Sequence, residues 1–224
     1  KLETEDFQLE ELHIAGEKCA ALRVLQIVIT VAGETDQKER IADALMTARA
    51  GQDIVYAGWA GLEGMLRIIG EKEAELRERF TPAFIGQMKA YDSELCGLSK
   101  IAVADAMGVS VIRQVSRGGI LASLWDLAKD TELGLNLDLK KIAVRQETIE
   151  VCEHFRLNPY QLASGGSFLM LTENGEALAD ALNQKGIQAA VIGQLTDSND
   201  KVIHNGEDMR YIDRPAPDEL MKVF

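Results

Sequence analysis

Short apolar segments alternate with amphipathic ones along most of the chain, and this alternation limits the fold more than any other feature. Crowded β-branched and apolar residues predict strands over residues 24–31, 53–58, 109–115, 133–139, 167–171 and 187–193, and a hairpin over 201–213. Apolar residues at helical spacing predict helices over 38–48, 93–107, 120–130, 146–155 and 174–185, and a charged helix that ends near residue 79. We therefore predict an α/β (α+β) fold, with one domain from about residue 50 onward.

The charge balance narrows the classes of partner. The 224 residues carry 36 Asp and Glu against 24 Lys and Arg, so the formal net charge is −12. An acidic surface repels nucleic-acid phosphates and anionic membranes, and no apolar run is long enough to span a bilayer. Three widely spaced cysteines, Cys19, Cys96 and Cys152, argue against a disulfide scaffold. We expect a cytoplasmic protein that binds neither nucleic acid nor membrane.

Metal ligands show no paired spacing. Cys152 and His154 stand two residues apart on a predicted helix, where they point to different faces. We therefore predict no metal site from these residues. No nucleophile motif is present either, and the catalytic residues remain unknown.

A first glycine turn, Gly58-Trp-Ala-Gly61-Leu-Glu-Gly64, joins a predicted strand to a predicted helix. A helix that starts at such a turn presents unpaired N–H groups to an anion. The spacing matches neither the dinucleotide motif nor the phosphate loop. Close packing of helix against strand is favoured over ligand contact, and both interpretations remain open.

A second turn is the stronger candidate for anion binding. In Arg113-Gln-Val-Ser116-Arg117-Gly118-Gly119, the serine can cap the following helix, the glycines allow close backbone approach, and the arginines supply charge. Ser164-Gly165-Gly166-Ser167 is a weaker third turn, because a strand follows it. The candidate site for an anion or substrate comprises Arg113, Ser116, Arg117, Gly118 and Gly119, with Gly58, Gly61 and Gly64 from the first turn.

These turns resemble those of the aminoimidazole ribonucleotide (AIR) synthase-related proteins, in the PurM-like superfamily. The resemblance rests on residues 50–64 and then, in order, on Val115-Ser-Arg-Gly-Gly-Ile120, Ile149–Phe155, Asn158-Pro159-Tyr160, Val191-Ile-Gly193 and Arg214-Pro-Ala-Pro-Asp-Glu-Leu220. It covers about residues 48–224 and is closest to the hydrogenase maturation factor that dehydrates a carbamoyl thioester.

The resemblance implies a C-terminal domain over 48–224, with a mixed sheet and packed helices. Residues 1–47 are interpreted as a remnant of the N-terminal ATP-binding and dimerisation domain. The family implies ATP and Mg²⁺ as cofactors, a small phosphorylated or anionic molecule as ligand, and a homodimer.

The chain departs from the family pattern at several positions. Lys18 replaces a metal-binding aspartate, most of the N-terminal domain is missing after Leu22, and Gln114-Val115-Ser116 replaces Asp-Val-Thr. We therefore expect a family member that is degenerate in ATP chemistry and keeps an anion-binding cleft. The alternative is an active phosphoryl-transfer enzyme whose N-terminal domain lies outside the given residues or comes from a partner subunit. The sequence leaves open whether the protein is an enzyme.

Overall fold

A computed structural model describes residue 45 and residues 47–109 and 111–224. The predicted strand over 24–31, nearly all of the predicted helix over 38–48, and Cys19 lie outside the described residues. The interpretation of 1–47 as a domain remnant therefore stays a prediction.

Within the described residues, seven strands form one mixed sheet, as the resemblance implies. They are β1 (Asp53–Ala57), β2 (Val111–Gln114), β3 (Gly134–Asp138), β4 (Phe168–Thr172), β5 (Ala189–Thr196), β6 (Lys201–Asn205) and β7 (Asp208–Tyr211). The order across the sheet is β2-β4-β1-β5-β3-β6-β7. Neighbouring strands are antiparallel except β3 and β6, which run parallel.

In the part of the chain from residue 47 onward that the structure describes, six α-helices connect or flank these strands. They are α1 (Leu62–Leu76), α2 (Pro82–Lys89), α3 (Leu98–Ala106), α4 (Gly119–Thr131), α5 (Gln146–Phe155) and α6 (Gly175–Gln184). Short 3-10 turns lie at Ala90–Leu95, Leu139–Lys141, Pro159–Gln161 and Glu219–Lys222.

Two predicted helices differ from the structure. The predicted helix over 93–107 is divided at Cys96, whose extended backbone (ψ of 120°) separates the 3-10 turn ending at Leu95 from α3. The next residue, Gly97, lies against the ring of Phe168, where a Cβ would come within 2.6 Å of the ring. The charged helix ends at Leu76, and Pro82 begins the next helix, whose N-cap Thr81 accepts a hydrogen bond from the Phe84 N–H at 3.3 Å. Proline suits this first position because a helix leaves its first N–H groups unpaired.

The central strands β1 and β4 bury residues on both faces of the sheet, whereas the four residues of the edge strand β7 are exposed. On β1, Ile54 and Tyr56 join a core with α4, whereas Val55 and Ala57 join a core with α3 and α6. A third core lies among α1, α2 and α5.

The strand order explains why distant glycine turns meet. Strand β4 lies between β1 and β2 and runs antiparallel to both, so Phe168 at its start pairs with Ala57 and with Gln114. The turns that follow β1 and β2 and the turn that precedes β4 therefore lie at the same edge of the sheet.

Candidate functional site

Three glycine turns, residues 58–64, 116–119 and 164–167, pack together at this edge, and we call them the glycine cluster. The Gly61 N–H donates to Ser164 Oγ at 2.7 Å, and the Ser164 N–H donates to the Ser116 carbonyl at 3.3 Å. Gly58 lies so close to Ser167 that a Cβ would be 2.6 Å from the serine Cβ. The cluster thus joins residues that lie about a hundred positions apart in the sequence.

The first turn is occupied by the chain itself. The Gly64 N–H donates to the Ala163 carbonyl at 2.9 Å, and the side chain of Leu162 fills the space beside Gly64. Together with the bond from Gly61 to Ser164, these contacts use N–H groups at the start of α1. The geometry of Gly58, Gly61 and Gly64 is that of close packing.

The second turn binds a carboxylate group of the protein itself, that of Asp218. Gly118 and Gly119 have φ angles of +75° and +65°, and Gly118 is the N-cap of α4. The Gly118 N–H donates to Asp218 Oδ2 at 2.7 Å. A carboxylate at the start of a helix is stabilised by the N–H groups and the helix dipole.

Asp218 also fixes the segment that carries it. Its Oδ1 accepts a hydrogen bond from the Leu220 N–H at 2.9 Å. The neighbouring Glu219 is buried, accepting from the Asn158 N–H at 3.1 Å and from Lys222 Nζ at 2.6 Å. Our sequence reasoning missed Asp218, although an Asp two residues before the N–H that donates to it is a recognisable capping pattern.

The remaining residues of the predicted site are placed differently. Ser116 makes no side-chain cap on α4, so that expectation was wrong, and its carbonyl accepts from Gly119 and Ser164 instead. Arg113 pairs with Asp130 at 2.6 Å. Asp130 lies eleven residues along α4, about 16 Å from the helix start at 1.5 Å per residue. Arg117 is exposed beside the turn.

A cleft of about 180 Å³ opens beside Gly118. Its walls come from the start of α4, the 158–161 turn and the strand and tail residues 210–216. Arg210 and Arg214 line it together with Asp213, and neither arginine has an ion-pair partner among the described residues. These two arginines were not singled out from the sequence, because only the pairing of β6 with β7 brings them to Gly118.

The same described residues contain neither a cluster of metal ligands nor a membrane-spanning helix. The described part of the chain holds no group of three or more His, Cys, Asp or Glu able to bind a metal ion. No helix in the described ranges is both long and apolar enough to cross a membrane.

A family model described as "AIR synthase related protein, C-terminal domain" matches residues 49–205. The chain belongs to this family. The second glycine turn, the cleft wall from Asn158 to Gln161 and all strands up to β6 fall within the matched residues. Strand β7, which pairs with β6, and Asp218, which accepts from the Gly118 N–H, lie beyond the matched residues.

Curated relatives of this AIR synthase-related chain include hydrogenase maturation proteins. A hydrogenase expression/formation protein of Methanocaldococcus jannaschii is 24% identical over 223 residues, which cover 96% of this chain and 64% of the relative. The carbamoyl dehydratase HypE of Azotobacter vinelandii is 28% identical over 152 residues, which cover 66% of this chain and 42% of HypE. The chain spans less than two thirds of the length of these relatives.

Solved structures show the same fold. The hydrogenase maturation protein HypE of E. coli superposes with a TM-score of 0.63 at 21% identity, over 80% of this chain and 54% of HypE. A HypE structure in complex with ATP gives a TM-score of 0.57 at 18% identity, over 79% of this chain and 54% of the other.

Proposed function

We propose that this protein acts in hydrogenase maturation as a HypE-like member of its family, and that the cleft beside Gly118 binds the anionic part of its ligand. The observation that carries the proposal is the presence of Arg210 and Arg214 on the wall of a cleft that begins at the N-terminus of α4.

The electrostatics of the cleft favour a small anion. Two arginines and one aspartate, Asp213, are among the residues that line the cleft, so these lining residues carry a positive excess in a protein of net charge −12. Guanidinium groups bind phosphate and carboxylate through paired hydrogen bonds. A volume of about 180 Å³ admits a phosphate or carboxylate group and not a whole nucleotide. The rest of a larger ligand would extend out of the cleft.

ATP is the proposed nucleotide. Solved relatives of this fold include HypE and PurL in complex with ATP. In the HypE-like proposal, the described domain holds an anionic group while magnesium and the remaining phosphates lie outside this cleft. A protein partner is part of the same proposal, because one structural relative is a HypE–HypF complex.

Titration calorimetry with inorganic phosphate, ADP and Mg-ATP tests the binding. Arg214→Ala should weaken the binding of phosphate by about tenfold, because a charge-assisted hydrogen bond is lost. Arg113→Ala is the matched control, since this arginine pairs with Asp130 far along α4. Absence of binding heat with all three ligands, or an equal loss of phosphate affinity in both variants, would contradict anion binding at the cleft.

Two functional alternatives are separated by a second measurement. Release of phosphate from Mg-ATP by the full chain, with its dependence on Arg214, would support the active phosphoryl-transfer enzyme. Binding of an anion without any phosphate release, alone or with added HypF-type partner, would support a family member that is degenerate in ATP chemistry.

A further inference from the structure

Strand β7 ends the sheet within the described residues, where it pairs with β6 alone. Its side chains are exposed, and Met209 and Tyr211 each keep 59% of their surface accessible. An exposed edge strand presents unpaired N–H and C=O groups to any second strand. The outward backbone groups and the charges of β7 determine which second strand can pair with this edge.

The hydrogen bonding of the β6–β7 hairpin fixes which backbone groups point outward. The Ile212 N–H donates to the Lys201 carbonyl at 2.8 Å, so Ile212 bonds toward β6. Antiparallel pairs alternate between bonded and non-bonded positions. Asp208 and Arg210 therefore also bond toward β6, and the N–H and C=O groups of Met209 and Tyr211 point to the open edge.

We propose that β7 pairs antiparallel with β7 of a second copy of this chain, joining the two sheets across a two-fold axis. An isologous contact of this kind uses one surface twice. The surface is formed by residues other than 1–47, the segment in which the family resemblance expects dimerisation strands. It does not rest on the proposed function.

The outward groups and the charges together select one register. Residues whose backbone groups point to the open edge must lie opposite residues of the same kind in the second copy. Two antiparallel registers meet this condition and pair three residues of each β7 strand. One places Met209 opposite Met209, and the other places Arg210 opposite Arg210. The second register sets two like charges directly opposite each other, which destabilises a sheet. The first places Asp208 of each copy opposite Arg210 of the other, giving two ion pairs, and places the two Met209 side chains together on the other face.

Edge strands often avoid association by carrying charges of one sign. The charges on β7 have opposite signs and are spaced two residues apart, on one face of the strand. A strand with this pattern can pair antiparallel with a second copy of itself, because each Asp208 then lies opposite an Arg210. Arg210 also lines the cleft, so its ion pair with Asp208 of the second copy competes with the binding of an anion there.

Sedimentation velocity and light scattering of the full chain test the dimer over a concentration series that reaches the high micromolar range, because a contact this small is weak. The expected result is reversible association from 24.6 kDa to twice that mass. Asp208→Arg should weaken association by about tenfold, since both cross-strand pairs change from attraction to repulsion. The double variant Asp208→Arg/Arg210→Asp restores opposite charges in this register and should restore association.

A backbone test accompanies the charge test. Met209→Pro removes an outward N–H donor from each copy and should abolish the dimer, whereas Met209→Ala keeps the donor and should retain it. Melting temperatures establish that each variant is folded, and the charge variants keep the test decisive if the proline variant is not. A monomer at every concentration overturns the proposal. So does a dimer that none of the variants changes, which would place the contact elsewhere, including in residues 1–44, or a double variant that fails to restore association.

Discussion

Replacing Gly119 with alanine is the sharpest perturbation of the glycine cluster. Gly119 has a φ of +65°, and a Cβ at this position would lie 2.8 Å from the Leu162 carbonyl oxygen and 2.9 Å from the Leu162 nitrogen, with the Tyr160 carbonyl oxygen still closer. All three neighbours are backbone atoms, which cannot rotate away as a side chain can. The start of α4 would have to move away from the 158–162 segment.

The cost has two parts. Left-handed backbone costs an L-residue about 1–2 kcal/mol. Forcing an extra carbon into a filled site costs about 1–3 kcal/mol more, so the expected loss in the free energy of unfolding is about 2–5 kcal/mol. Gly186→Ala is the matched control, because Gly186 has a φ of +74° with no atom within 4 Å of an added Cβ. Only the left-handed cost of about 1–2 kcal/mol applies there.

Urea denaturation followed by circular dichroism measures both free energies of unfolding. The entropy lost by the unfolded chain on changing glycine to alanine is common to both variants and cancels in the comparison. The difference between Gly119→Ala and Gly186→Ala should therefore be about 1–3 kcal/mol. Equal destabilisation by the two changes would refute the close backbone approach at α4.

Two further predictions concern groups near the cluster. Asp218→Ala removes the acceptor of the Gly118 N–H and should lower the free energy of unfolding by about 1–3 kcal/mol. Because this N–H is then open to solvent anions, added phosphate should raise the melting temperature of the variant more than that of the wild type, and an equal rise would contradict the assignment. Burial raises the pKa of the Cys152 thiol to about 12, from an ordinary value of 9.0. Above pH 9 the unfolded state releases the thiol proton, whereas the folded state keeps it. The free energy of unfolding is therefore unaffected by this group below pH 9 and falls by about 1 kcal/mol per pH unit above pH 9. Cys152→Ala should flatten that slope in urea denaturation between pH 9 and 10; the buried Tyr56, whose pKa is also raised, acts only at higher pH.

The elements of the fold were largely readable from the sequence. Helix α5 was predicted with the bounds observed, and α4 differs from its prediction by one residue at each end. Helical spacing and capping residues are local signals, and these segments satisfy them without help from the rest of the chain. The predicted helix over 93–107 is interrupted at Cys96, which has extended backbone, and the adjacent Gly97 packs on Phe168, about seventy residues away in the sequence.

The site was readable only in part, for the same reason. The glycine turns were found, and strand pairing then brought all three together. The carboxylate that binds Gly118 and the arginines of the cleft come from residues 210–218, and nothing local links them to Gly118. Arg113 was assigned to the turn by its nearness in sequence. Its guanidinium group pairs with Asp130 instead.

The long sequence separations within the glycine cluster also have a kinetic meaning. The bonds from Gly61 to Ser164 and from Gly118 to Asp218 close loops of about a hundred residues each. Contacts of this range are slow to form, because the entropy of closing the loop is lost before the contact gives any stabilisation. Local helices such as α5 can form early, whereas the cluster assembles only after β4 has entered the sheet between β1 and β2. Changes at Gly119 should therefore speed unfolding more than they slow folding, and the binding cleft would be among the last parts of the molecule to exist as the chain folds.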